Sequence, residues 1–109
     1  MLNCFRVIPA DVQIVKTPNI DAVGKEGAVF YNAFTASPSC TPARAAILTG
    51  RFPHELEAGA SLWGYLPKKY ENYSTILEQA GYHVGLTGKG WGPGNFQAGG
   101  YEHNPAGKP

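Results

Sequence analysis

The sequence predicts an α/β fold built on a parallel sheet. The elements read helix, strand, helix, loop, helix, strand, the alternation that a parallel sheet requires. The helices mark their own limits, with Thr17-Pro18 and Thr41-Pro42 at two starts and Gly27, Gly50 and Gly81 at ends. A strand candidate runs into the Ser/Pro-rich loop before Cys40, and a helix follows at once. Open α/β sheets hold their sites at such strand-to-helix loops. With 109 residues, 43% of them hydrophobic, the chain supports one small core.

Phe5, Val7 and Ile8 suit a short strand stopped by Pro9, and Val12, Ile14 and Val15 extend toward the next element. Residues 1–16 are the least regular part and are set apart from residues 17–109. Thr17-Pro18 opens a helix to about Glu26, with Ile20, Val23 and Ala28 facing inward and Gly27 ending it. Ala28 to Thr35 is the strand candidate, carried by Val29, Phe30, Tyr31 and Phe34. The next helix spans Thr41 to Gly50. Thr41 is its cap, Pro42 fits the first turn where no N–H is needed, and Ala43, Ala45, Ala46 and Leu48 favour helix.

Residues 52–73 read as loop. His54 is a candidate acid, base or ligand, although a His after a Pro is more often an exposed polar residue. Leu62, Trp63, Tyr65 and Leu66 are apolar enough to pack over the core or to line a sugar pocket, with packing favoured, whereas Lys68, Lys69 and Glu71 face solvent. Asn72 or Ser74 starts the third helix, which ends at Ala80 with Ile76, Leu77 and Ala80 on one face. Tyr82 to Thr87 is a short buried strand, and the chain is irregular from Phe96 onward.

The near-neutral charge of +1, with no basic stripe, gives no support for a nucleic-acid partner. No segment approaches the apolar length of a membrane span, and Met1 to Arg6 lack the basic start of a secretory signal. Two cysteines, Cys4 and Cys40, make neither a disulfide framework nor a metal cluster.

Two stretches carry chemistry. Cys40 sits beside a helix N-terminus, a natural anion site, and Arg44 adds a cation one turn later. A nucleophile-type side chain, a helix end and an arginine suit a reaction on an anionic ester. The plainer reading is a buried small cysteine. The second stretch is Gly88-Lys89-Gly90-Trp91-Gly92-Pro93-Gly94. It fails the Walker pattern, because His83 and Gly90 occupy positions that need Gly and Ser or Thr. Lys89 is left on flexible glycines after a strand, placed either to bind an anion or to sit on a surface turn.

Cys40-Thr41-Pro42-Ala43-Arg44 resembles the Cys-x-Pro-x-Arg signature of the type I sulfatases, with Leu48-Thr49-Gly50-Arg51 as its continuation. Thr17-Pro18-Asn19-Ile20-Asp21, Glu26-Gly27, Phe30 and Asn32-Ala33-Phe34 resemble the approach to that signature. Gly81-Tyr82-His83 through Gly88-Lys89 resembles the family's second signature. Gly90 to Gly94, Gly99-Gly100 and Asn104 to Gly107 look most like bacterial heparan N-sulfatase-like members.

The resemblance implies a partial alkaline-phosphatase/sulfatase-like sheet with flanking helices, an incomplete N-terminal part of a catalytic domain. It implies hydrolysis of sulfuric esters or sulfamates, on sulfated sugars or other sulfate esters. Cys40 would be converted to formylglycine by a formylglycine-generating or anaerobic sulfatase-maturating enzyme, and its hydrate would attack sulfur. Arg44 would stabilise that hydrate, and Lys89 would hold a sulfate oxygen. Calcium would polarise the sulfate, with Cys40, as formylglycine, among its ligands. The family's Asp-Asp pair does not occur in the chain, so these residues alone are expected to turn over little. Where many members carry a His two residues after the lysine, Trp91 stands, and that His role does not transfer. Relatives of this kind act mostly in the periplasm or outside the cell. A phosphoryl-transfer relative and a non-catalytic remnant are the alternatives, the first opposed by Cys40 with Pro42 and Arg44.

Overall fold

The computed structural model describes residues 16–109. The short strand expected near Phe5 lies outside the described residues. Close backbone contacts divide the chain into a unit ending at Phe34 and a unit spanning Thr35–Pro109.

In the first unit, α1 spans Pro18–Glu26, with Thr17 at its N-cap and proline in the first turn. The Thr17 hydroxyl does not cap the backbone but meets Asp21 Oδ1 at 3.3 Å. Gly27 ends the helix and donates its N–H to Val23 O at 2.9 Å. The limits agree with the sequence expectation, but the inward face does not. No residue of α1 is buried, and Val23 is 72% exposed. The strand expected over residues 28–35 is also absent, with Phe34 left 91% exposed. Both corrections have one physical cause. An extended segment becomes a strand only when a neighbour takes its N–H and C=O groups, and an apolar stripe is buried only against a partner surface. Among the described residues of this unit neither is present.

The second unit holds α2 (Cys40–Thr49), two short 3-10 turns (Pro53–Glu55 and Glu57–Ala60) and α3 (Tyr73–Gln79). The N-cap of α2 is Ser39, not Thr41. Ser39 is extended, at φ −94° and ψ 144°, and the helical turn already begins at Cys40. Gly50 closes α2 in the left-handed conformation at φ 67°, where a side chain would be strained, and donates its N–H to Ala46 O. Ala45 and Leu48 of α2 join Leu56, Leu66, Trp91 and Tyr101 in the core, with Tyr70, Phe96 and Ala106 packed against it. Of the loop apolar residues expected to pack, Leu66 is fully buried but Trp63 stays 75% exposed. His54 is exposed and stacks on Phe52, as the plainer sequence reading expected.

Asn72 caps α3, accepting the Thr75 N–H at 2.9 Å. Its amide also donates to the Tyr101 hydroxyl at 3.0 Å, in a buried pair. Burial pushes the Tyr101 phenol above its ordinary value, and the Asn72 bond pulls the other way. Asn72→Ala removes a helix cap and leaves the Tyr101 hydroxyl without this partner. It is expected to lower the unfolding free energy by about 2 kcal/mol, read from chemical denaturation.

The second expected strand, Tyr82 to Thr87, is reduced to one parallel bridge between Gly85 and Lys108. Leu86 N–H donates to Lys108 O, and Lys108 N–H donates to Val84 O at 2.9 Å. Tyr82 is exposed, so this segment is not a buried strand. No sheet forms among the described residues: a single bridge cannot grow without further neighbours. Beyond Phe96 the chain is irregular, as expected, yet it packs, with Tyr101 and Pro105 buried.

Candidate functional site

Cys40 is the first residue of α2 and is solvent-exposed with a free thiol. The plainer reading of a buried small cysteine is therefore corrected. An N-terminal turn has N–H groups without intrahelical partners, and the exposed Cys40 stands beside them. The two residues after it are buried: Thr41 and Pro42 fix the helix start in the core, and the Thr41 hydroxyl has no hydrogen-bond partner among the described residues. The helix is thus anchored just behind an exposed sulfur.

Arg44 lies four residues later, on the same helix face as Cys40. Its Nη1 donates to Lys89 O at 2.7 Å and to Gly90 O at 2.9 Å. These two bonds connect the stretches that the sequence singled out, across 45 and 46 residues. A guanidinium has further donors on Nε and Nη2. Among the described residues, these form no other bond. Lys89 itself is exposed. Arg44 is thus joined to the Lys89 backbone, and Cys40 lies one turn earlier on the same helix. Arg51, from the continuation of the first stretch, turns elsewhere: it is 3.8 Å from Glu55 and lies over the Tyr70 ring.

The loop after Lys89 is fixed by Trp91 and Asn104, through contacts the sequence did not indicate. Trp91 is 3% exposed and belongs to the core, which explains why this position is apolar. Asn104 Oδ1 accepts the Trp91 N–H at 2.9 Å, and Asn104 Nδ2 donates to Trp91 O at 2.7 Å. Oδ1 also accepts the Ala106 N–H at 3.0 Å, a local turn of the kind asparagine favours. An Asn before a Pro signals that turn. Its grip on a tryptophan 13 residues earlier has no signal in the sequence.

A hard cation such as calcium takes six or more oxygen ligands. Among the described residues, no three His, Cys, Asp or Glu side chains gather to hold a metal. The described residues do not make a calcium cage. Formylglycine fits better, because Cys40 is exposed and its conversion would crowd nothing in the core. No described helix is long and apolar enough to cross a membrane.

The sequence profile of the family described as Sulfatase matches residues 11–106. The chain is similar to Arylsulfatase D of Homo sapiens, 40% identical over 69% of this chain and 14% of that protein. It is 41% identical to an ulvan-active sulfatase of Formosa agariphila, again over 69% of this chain and 14% of the relative. It is also similar to a choline-sulfatase of Rhizobium meliloti, 35% identical over 86% of this chain and 18% of the relative. The chain therefore spans about one seventh of the first two relatives' length. No solved structure matches it.

Proposed function

Because this chain belongs to the sulfatase family, we propose that it carries the nucleophile side of a sulfuric-ester hydrolase site, formed by Cys40, Arg44 and Lys89. The α/β fold of that family is its expected wider setting. The observation that carries the reading is the pair of bonds from Arg44 Nη1 to Lys89 O and Gly90 O. They connect the two signature stretches through a side chain of one and the backbone of the other.

Cys40 as formylglycine, made by a maturating enzyme, supplies an aldehyde whose hydrate is a strong oxygen nucleophile toward sulfur. The α2 N-terminus offers N–H groups and a positive dipole end to the anionic ester beside Cys40. Arg44 keeps the Lys89 loop against that helix end and adds its own positive charge. Lys89 holds a sulfate oxygen and offsets charge on the transferred group. The substrate class we favour is a sulfated glycan, a reading supported by the likeness to an ulvan-active sulfatase.

Two measurements on the complete gene product from its own host test this. The peptide containing Cys40 should carry the mass of an aldehyde rather than a thiol. The protein should hydrolyse 4-nitrophenyl sulfate at least about a hundredfold faster than 4-nitrophenyl phosphate, as kcat/KM. An unmodified Cys40 in a host that converts other sulfatases, with no sulfate-ester turnover, would support the non-catalytic alternative. Preference for the phosphate ester would support the phosphoryl-transfer alternative.

A further inference from the structure

Lys89 has to be held in place by something other than its own segment, because Gly88 and Gly90 flank it. Glycine leaves the backbone more conformations than any other residue. A lysine that recognises one oxygen of a substrate must nevertheless be placed to within roughly half an ångström. Two side chains perform that task on the backbone. From α2, Arg44 takes the carbonyls of Lys89 and Gly90. From the C-terminal loop, Asn104 takes both the N–H and the carbonyl of Trp91. Four polar groups of three consecutive residues are thus bound by two side chains. Gly90 lies so close to the second of them that a Cβ built there would sit 2.7 Å from Asn104 Oδ1. The Asn104 loop is itself tied to α3: His103 Nε2 is 3.4 Å from Glu78 Oε1, and Lys108 Nζ is 3.9 Å from the same oxygen.

We propose that Asn104 is a positioning residue for Lys89, acting through the Trp91 backbone and together with Arg44 to fix the sulfate-holding lysine. The proposal deepens the sulfatase reading and rests on it. The residue type is specific. An amide both accepts and donates, so it closes both ends of the Trp91 backbone, whereas aspartate keeps only the acceptor bonds and alanine keeps none.

The test is a double-mutant cycle between Asn104 and Lys89 in the complete gene product made in its own host. It is read by titration with inorganic sulfate and by 4-nitrophenyl sulfate hydrolysis. Asn104→Ala is expected to weaken sulfate binding and to lower kcat/KM, each about tenfold. In the Lys89→Ala background the same change should alter both by less than about twofold, because no lysine is left to place. Asn104→Asp, which keeps two of the three bonds, supplies a second cycle if the alanine variant does not fold. Losses that multiply independently in wild-type and Lys89→Ala backgrounds would make Asn104 a purely stabilising residue. That result overturns the proposal and leaves the sulfatase reading intact. A wild-type protein that neither binds sulfate nor hydrolyses the ester overturns the sulfatase reading, and this role with it.

Discussion

Replacing Cys40 with alanine is expected to lower 4-nitrophenyl sulfate hydrolysis by at least about a thousandfold while leaving the fold in place. The first half follows from the proposed chemistry: alanine has no sulfur to convert, so the site loses its nucleophile and keeps only binding groups. The second half follows from the structure. Cys40 is exposed, whereas the α2 start is held by buried Thr41 and Pro42 and by the Ser39 carbonyl, which accepts the Ala43 N–H at 3.0 Å. Surface changes away from packed or bonded groups usually stay within about 0.5 kcal/mol. Thermal melting within a few degrees of wild type, beside lost turnover, is the expected pair of results. Retained turnover would remove Cys40 from the chemistry.

Arg44→Ala is the second large effect. Two hydrogen bonds from a charged donor to backbone carbonyls are lost, at a half-exposed position. A stability loss of about 1–2 kcal/mol is expected, less than two fully buried charged bonds would give. The larger loss is in rate. Without Arg44 the Lys89 loop is released from the helix that carries the nucleophile, and a positive charge leaves the site. Together these should lower kcat/KM by about a hundredfold or more. Arg44→Lys separates the two contributions. A single ammonium restores the charge but lacks the planar fork geometry, so its rescue should be partial. Full rescue by lysine would show that the pair of hydrogen bonds to Lys89 and Gly90 carries no function.

The helices were legible in the sequence because their signals are local. Thr17-Pro18, Gly27, Asn72, Gly81 and Gly50 act within one turn of where they stand, and all occur at helix limits in the structure. The cap of α2 was misplaced from Ser39 to Thr41 because both residue types are common N-caps, and burial of Thr41 is a tertiary fact. The strands failed for the opposite reason. Val29, Phe30 and Tyr31 state a preference for extended backbone, but a ladder is a property of two segments. The two stretches were legible separately, and the contact between them was not. Nothing in Arg44 or Gly90 announces that one binds the other's carbonyl, and nothing in Trp91 shows that Asn104 holds its backbone.

The bond from Arg44 to Gly90 also sets an order in time. Its donor and acceptor are separated by 46 residues of chain. A ribosome adding roughly 5–20 residues per second delivers that length in about 2–9 s. Throughout that interval the Cys40 segment has left the ribosome ahead of the loop that will hold Arg44. A ten-residue helix without tertiary partners is only marginally formed in water. Each newly made molecule therefore presents Cys40 first as open chain for several seconds, and only afterwards as the first residue of a docked helix.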